Sequence, residues 1–518
     1  MGAQIAAHLV NADVPTILFD LPAREGEPAL SPSSLPLPSP QSSPASGRGG
    51  EGGRQSSIPA GERGAVSLRE PSLNGIVNKA LEGLKKLDPS PLASPSRLNF
   101  IAAANYDQHL DQLRDCDLVI EAIAERMDWK ADLYRKVAPH LGAQTIFASN
   151  TSGLSINKLA QVFPENLRHR FCGIHFFNPP RYMHLVELIP CIETDALLLN
   201  QLETFLVSGL GKGVVRAKDT PNFLANRIGV FSLLATLHHA QRLGLGFDTV
   251  DALTGRYLGR PKSATFRTLD VVGLDTFAHV VNTMRDNLHD DPWHAYYAVP
   301  DWLNSLIEQG ALGQKAKRGV YQKMGKDIHV LDLGSKQYRP SHGEVDDGVK
   351  AILRERDWGK KLHDLRGSAH PQAQFVWSVF RDLFHYCGVH LADIAGNARD
   401  LDFAVRWGFG WDSGPFEIWQ SAGWQKIVGW IEEERERGKT MSDAALPHWA
   451  RDAARVAVHT ALGSYSPDGT TSHSTKPASG QVAGYRPLAG EGLGEREGGS
   501  YQQRSQLTVY QRQEFPDR

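Results

Sequence analysis

The chain has 518 residues, 41% of them hydrophobic and 22% charged, with a formal net charge of −2. That length and apolar content support several packed cores, about two to four domains, and exclude a wholly disordered chain. A charge balance this close to neutral provides no global basic field, which argues against nucleic acid as a partner while leaving room for a local anion site.

In chain order, residues 1–10 (MGAQIAAHLV) read as a helix and residues 14–20 as a short strand ending in an acid, Asp20. From 25 to about 72 the composition turns to Pro, Ser and Gly, which builds no core and reads as a disordered insertion. A helical pattern resumes at 74–81. Apolar runs at 117–122 and 145–150 then read as strands, separated by a helix over 128–140. Alternating strands and helices imply a parallel α/β sheet.

After Asp219-Thr220-Pro221 the character becomes helical, with Thr220 as N-cap, Pro221 in the first turn and a stop at Gly244. The segment Arg256-Tyr257-Leu258-Gly259-Arg260-Pro261, followed by Phe266, is echoed by Arg406-Trp407-Gly408-Phe409-Gly410-Trp411, followed by Phe416. The echo suggests a duplicated helical domain. The expected division is 1–217 for an α/β domain, 218–325 for a first helical domain, 326–465 for a linker and second helical repeat, and 466–518 for an unstructured tail.

Four cysteines, Cys116, Cys172, Cys191 and Cys387, stand without CxxC spacing and read as small buried apolar residues, with no metal expected. No apolar run approaches the roughly 18 residues of a membrane span, and no signal peptide is visible. A cytoplasmic or other intracellular compartment is the expectation.

A dinucleotide site needs a glycine turn, a helix N-terminus facing the pyrophosphate and an acid for the ribose. Gly2 and Asp20, 18 positions apart, fit the back half of that pattern, although a lone glycine and a strand-end acid are also ordinary punctuation. Glu121-Ala122-Ile123-Ala124-Glu125-Arg126 puts backbone and a carboxylate at the carboxyl edge of the sheet, and Lys130 can offer a charge to the nucleotide. The same stretch also reads as the solvated first turn of a helix.

Within His175-Phe176-Phe177-Asn178-Pro179-Pro180 a histidine closes a strand, and Glu187 interrupts the apolar run 185–189. Alcohol oxidation requires removal of the hydroxyl proton as hydride departs; histidine titrates in the useful range, and a carboxylate can orient it. The plainer alternative is a hydrogen-bonded core histidine and a strand-end glutamate facing water. Ser152 and Asn226 can contact the substrate oxygen, or serve as turn and cap residues.

Taken together, MGAQIA, EAIAER, SNTSGLSI, HFFNPP, LVELI, DTPNFLANRI and GQKAKRGVY, over residues 1–24 and about 74–325, resemble the 3-hydroxyacyl-CoA dehydrogenase family. The resemblance implies an incomplete Rossmann-like NAD-binding domain followed by all-α, 6-phosphogluconate-dehydrogenase-like domains, duplicated as in the longer multifunctional members. It implies His175 as base, Glu187 as its partner, and Ser152 and Asn226 as substrate contacts. Gly2, Asp20, Ala122, Glu125, Lys130, Ser152 and Asn178 are implied near NAD. The implied reaction is NAD-dependent oxidation of (S)-3-hydroxyacyl-CoA to 3-oxoacyl-CoA in fatty acid β-oxidation, with dimerisation through the helical domain. The alternatives are a non-catalytic acyl-CoA-binding or scaffolding remnant, and a related dehydrogenase of another 3-hydroxy acid.

The family pattern opens with a strand and two glycines before the position of Gly2, so the chain reads as N-terminally truncated. Loss of a central strand removes several buried side chains at roughly 1.5–3 kcal/mol each, against a domain stability of about 5–15 kcal/mol. Weakened NAD binding and a destabilised first domain are the expectations.

Overall fold

The computed structural model describes residues 1–23, 73–468, 471–472 and 507–511. The insertion read at 25–72 lies outside the described residues, as does most of the 466–518 tail.

The first domain runs α1 (Gly2–Asn11), β1 (Thr16–Asp20), α2 (Gly75–Leu84), β2 (Ile101–Asn105), β3 (Leu118–Ala122), α3 (Met127–Val137), β4 (Ile146–Ser149), α4 (Ile156–Ala160), α5 (Glu165–Arg168), β5 (Phe171–Phe176), β6 (Leu185–Pro190), α6 (Ala196–Thr204) and β7 (Gly213–Arg216). The strands alternate faces. Leu118, Ile120, Ile174, Val186 and Leu188 join the core beneath α1, α2 and α6. Val119, Phe147, Phe171, Leu185 and Ile189 join the opposite core, with α3, α4 and the helices that follow. A two-residue side-chain period with helices on both faces explains why these runs are apolar throughout.

The sheet has eight strands in the order β2, β1, Leu507–Gln511, β3, β4, β5, β6, β7. Two expectations change here. The pairing of β5 with β6 is antiparallel, whereas β6 pairs β7 in parallel. The place beside β1 expected to be vacant holds the strand Leu507–Gln511, parallel to both β1 and β3, within the stretch read as an unstructured tail. Without a strand there, the facing backbone N–H and C=O groups of β1 and β3 would lack ladder partners.

The helical part begins with α7 (Ala225–Arg242), α8 (Phe247–Thr254), α9 (Phe266–Val272), α10 (Leu274–Asn287) and α11 (Asp301–Glu308). It resumes with α12 (Asp347–Leu353), α13 (Trp358–Gly367), α14 (Pro371–Ile394), α15 (Ala398–Phe409), α16 (Pro415–Ser421) and α17 (Trp424–Glu436). Between the two groups, from the end of the expected first helical domain into the expected linker, runs an antiparallel sheet, β8 (Tyr321–Met324), β9 (Asp327–Asp332) and β10 (Gln337–Pro340), pinned to α8 by the Arg339–Asp248 ion pair.

The two helical groups share local features. The Asp251 carboxylate accepts the backbone N–H groups of Thr265, Phe266 and Arg267 at the start of α9, and Asp402 accepts those of Phe416 and Glu417 at the start of α16. Gly259 and Gly410 both take positive φ, 66° and 67°, in the two echoed motifs, and Asp412 N donates to Gly259 O. A left-handed turn followed by a carboxylate-capped helix is the physical content of the echo. No helix among the described residues is long and apolar enough to cross a membrane.

Candidate active site

The antiparallel pairing of β5 and β6 sets His175 directly opposite Glu187. Both lie on the face that meets the helical domain, the same face as Phe171 and Leu185. His175 Nδ1 is 2.6 Å from Glu187 Oε2, and both side chains are buried. With Nδ1 protonated and donating to the carboxylate, Nε2 keeps its lone pair. Nε2 has no hydrogen-bond partner among the described residues.

Glu187 has a second task. Its Oε1 accepts the backbone N–H groups of Leu224 (3.1 Å) and Ala225 (2.8 Å), the entry to α7. This corrects the expected start of the helix: residues 220–224 form a turn, Asn222 and Phe223 adopt φ of 63° and 52°, and α7 begins at Ala225 rather than around Pro221. Thr220 is therefore not the cap. A carboxylate from the sheet satisfies amides at the helix start and favours its positive end. Asn226 follows immediately, half-buried in the first turn of α7.

The 149–153 turn lies at the carboxyl end of β4. Glu125 Oε1 accepts Thr151 Oγ1, Ser152 N at 2.8 Å and Gly153 N at 3.0 Å. Burial alone would raise the Glu125 pKa, but the Lys130 charge and these hydrogen bonds outweigh it and hold the carboxyl below its usual range. The Ser152 side chain is exposed. One residue before this turn's Thr151, Asn150 Oδ1 accepts Phe176 N at 2.9 Å, which fixes the end of β5 next to His175.

On the cofactor side, Gly2 is buried as the first residue of α1, and Asp20 ends β1 with Oδ1 accepting Leu21 N at 2.8 Å. Ala122 ends β3 and Asn178 is exposed beyond β5. A helix N-terminus beginning with glycine, an acid closing β1 and backbone at the end of β3 share the carboxyl edge of the parallel part of the sheet, the edge at which open α/β sheets bind ligands. Lys130 is fully buried, not part of a solvated first turn, with Nζ 2.6 Å from Glu121 Oε1 and 3.8 Å from Glu125 Oε2.

Thus the structure joins His175 to Glu187, and Glu125 to the backbone of Ser152, while among the described residues no hydrogen bond joins Ser152 or Asn226 to His175. Three residues with evident roles here were not singled out from the sequence. They are Glu121, Asn150 and Asp219, whose carboxylate accepts Ser155 Oγ, Ile156 N, Asn157 N and Asn157 Nδ2 at the start of α4. Only Glu121 carries a local signal, an acid inside an apolar strand.

The family model described as the NAD binding domain of 3-hydroxyacyl-CoA dehydrogenase matches residues 66–220, and that of the C-terminal domain matches 223–323. A probable 3-hydroxyacyl-CoA dehydrogenase of Deinococcus radiodurans is 34% identical over 323 residues, covering 62% of this chain and 80% of that protein. One of Bacillus subtilis is 34% identical over 449 residues, 85% of this chain and 53% of that protein, so the chain spans about half the length of this longer relative. The crystal structure of 3-hydroxybutyryl-CoA dehydrogenase from Escherichia coli shares the fold, with a TM-score of 0.60 at 19% identity over 88% of this chain and 96% of that one. With its sheet, its buried histidine–glutamate pair and its matched domains accounted for together, this chain belongs to the 3-hydroxyacyl-CoA dehydrogenase family.

Proposed function

We propose that the chain oxidises the 3-hydroxyl of an (S)-3-hydroxyacyl-CoA to the 3-oxoacyl-CoA with NAD, as a step of fatty acid β-oxidation. The observation that carries the reading is the buried His175–Glu187 pair, with Nδ1 committed to the carboxylate and Nε2 left to act. Nε2 takes the hydroxyl proton as the C–O bond becomes a carbonyl; Glu187 stabilises the imidazolium formed. NAD, when bound, accepts the hydride from C3. Ser152 and Asn226 hydrogen-bond the substrate oxygen, with Ser152 supplied by the turn that Glu125 holds and Asn226 by the helix that Glu187 caps. Gly2, Asp20, Ala122, Glu125 and Asn178 line the NAD side, and Asp20 disfavours a 2′-phosphate by charge repulsion. Dimerisation through the helical domain accompanies this reading as a family expectation.

The test is NADH oxidation by the purified chain with acetoacetyl-CoA, the reverse direction, beside a His175→Ala variant. Activity in the chain, reduced roughly 10²- to 10⁴-fold in the variant, supports the assignment. A folded chain with no activity that still binds acetoacetyl-CoA points instead to a non-catalytic acyl-CoA-binding protein. Oxidation of a free 3-hydroxy acid in preference to its CoA ester points to the related dehydrogenase.

A further inference from the structure

A carboxylate buried beside the candidate site, with four hydrogen-bond donors, belongs to a residue with no place in the chemistry above. Glu121 is fully buried in β3. Its Oε1 accepts Ile123 N at 2.7 Å and Lys130 Nζ at 2.6 Å; its Oε2 accepts the Tyr134 hydroxyl at 2.6 Å and Ser149 Oγ at 2.7 Å. Its backbone O accepts Asn150 N at 2.7 Å. One residue therefore grips the loop after β3, helix α3 and the end of β4.

Each of those contacts leads to the site. Ile123 begins the loop that ends at Glu125, and Glu125 clasps the backbone of Ser152 and Gly153. Lys130 bridges from Glu121 toward Glu125, adding to the bond at Nζ a weaker approach to Ile123 O at 3.5 Å. Ser149 Oγ accepts Thr151 N at 3.3 Å, and Asn150 passes the restraint to Phe176 N beside His175. A buried ion pair is weak as a source of stability, because desolvating both charges offsets most of their attraction. Its geometric constraint is strong: the carboxylate accepts four donors drawn from three segments, the loop after β3, helix α3 and the end of β4.

We propose that Glu121 is a positioning residue that sets the register between the cofactor-side loop, 121–126, and the 149–153 turn, with buried Lys130 as its counter-charge. The assignment rests on the dehydrogenase reading and extends it to a residue that touches neither substrate nor cofactor.

Fluorescence titration with NADH and thermal unfolding of the whole chain test this, using the unchanged protein, Glu121→Gln and Ser149→Ala. Glu121→Gln is expected to weaken NADH binding roughly three- to thirtyfold and to raise KM for NADH more than KM for acetoacetyl-CoA. Ser149→Ala, which leaves the ion pair in place, gives a smaller loss in the same direction. NADH affinity that is unchanged in both variants, or KM values for NADH and acetoacetyl-CoA that rise equally, overturns the assignment and leaves the dehydrogenase reading standing. If the unchanged chain binds no NADH, both fall together.

Discussion

Glu187 holds His175 with one carboxylate oxygen, at 2.6 Å from Nδ1, and the first amides of α7 with the other. The proposed general base and the start of the helix bearing Asn226 thus share a single buried anchor. Any displacement of the helical domain relative to the sheet is felt at the imidazole.

Two substitutions separate those duties. Glu187→Gln keeps a carbonyl oxygen for the α7 amides but cannot stabilise an imidazolium, so kcat and kcat/KM are expected to fall together, by roughly 10²- to 10⁴-fold, with KM for acetoacetyl-CoA little changed. Glu187→Ala also removes the cap and costs about 0.5–2 kcal/mol more in stability. Steady-state kinetics and urea unfolding of both variants distinguish these; equal stability of the two would contradict a capping role.

Asp219 ties the segment before α7 to the start of α4 through Ser155, Ile156 and Asn157. Asp219→Ala leaves those amides without their acceptor, and the expected loss is roughly 1–3 kcal/mol. A lower urea midpoint with an unchanged denaturant slope is the expected result. No change in midpoint would mean that solvent replaces the carboxylate.

Gly229 on α7 faces the ring of Phe409, the last residue of α15; an added Cβ would lie 1.9 Å from Phe409 Cζ. In an open helix, Gly→Ala gains about 1 kcal/mol, but overpacking here reverses the sign and costs about 1–3 kcal/mol. Gly229→Ala should therefore lower the unfolding temperature, and a second change, Phe409→Ala, should make the two effects less than additive. Additive losses would show that the two side chains do not meet.

Burial lowers the His8 pKa from its ordinary value to about 3. In the unfolded chain His8 binds a proton near pH 6.5, and in the folded chain it does not, so this residue's contribution is fully present above pH 6.5 and is lost as pH falls toward 3. The slope is at most about 1.4 kcal/mol per pH unit. Between pH 6.5 and 5, above the usual carboxylate range, His8→Leu should flatten the decline in stability relative to the unchanged chain. Parallel pH–stability curves for the two proteins would refute the burial of a neutral imidazole.

Much was legible in the chain itself because the signals are local. The apolar runs ending at Asp20, Ala122 and Ser149, the helical spacing that follows them, and a histidine and a glutamate each set in a strand are properties of ten or fewer consecutive residues, and they specify an α/β domain with chemistry at its carboxyl edge. The structure alone decided how distant segments meet. The sense of β6 puts His175 and Glu187 face to face. Lys130 turns inward because Glu121, nine residues earlier, is buried to receive it. Thr220 yields the helix start to a carboxylate from the sheet. The strand Leu507–Gln511 lies between β1 and β3, from the far end of the chain. Pairing across such separations depends on which backbone donors and buried charges remain unsatisfied once the sheet assembles, and hydrophobic periodicity carries no record of that.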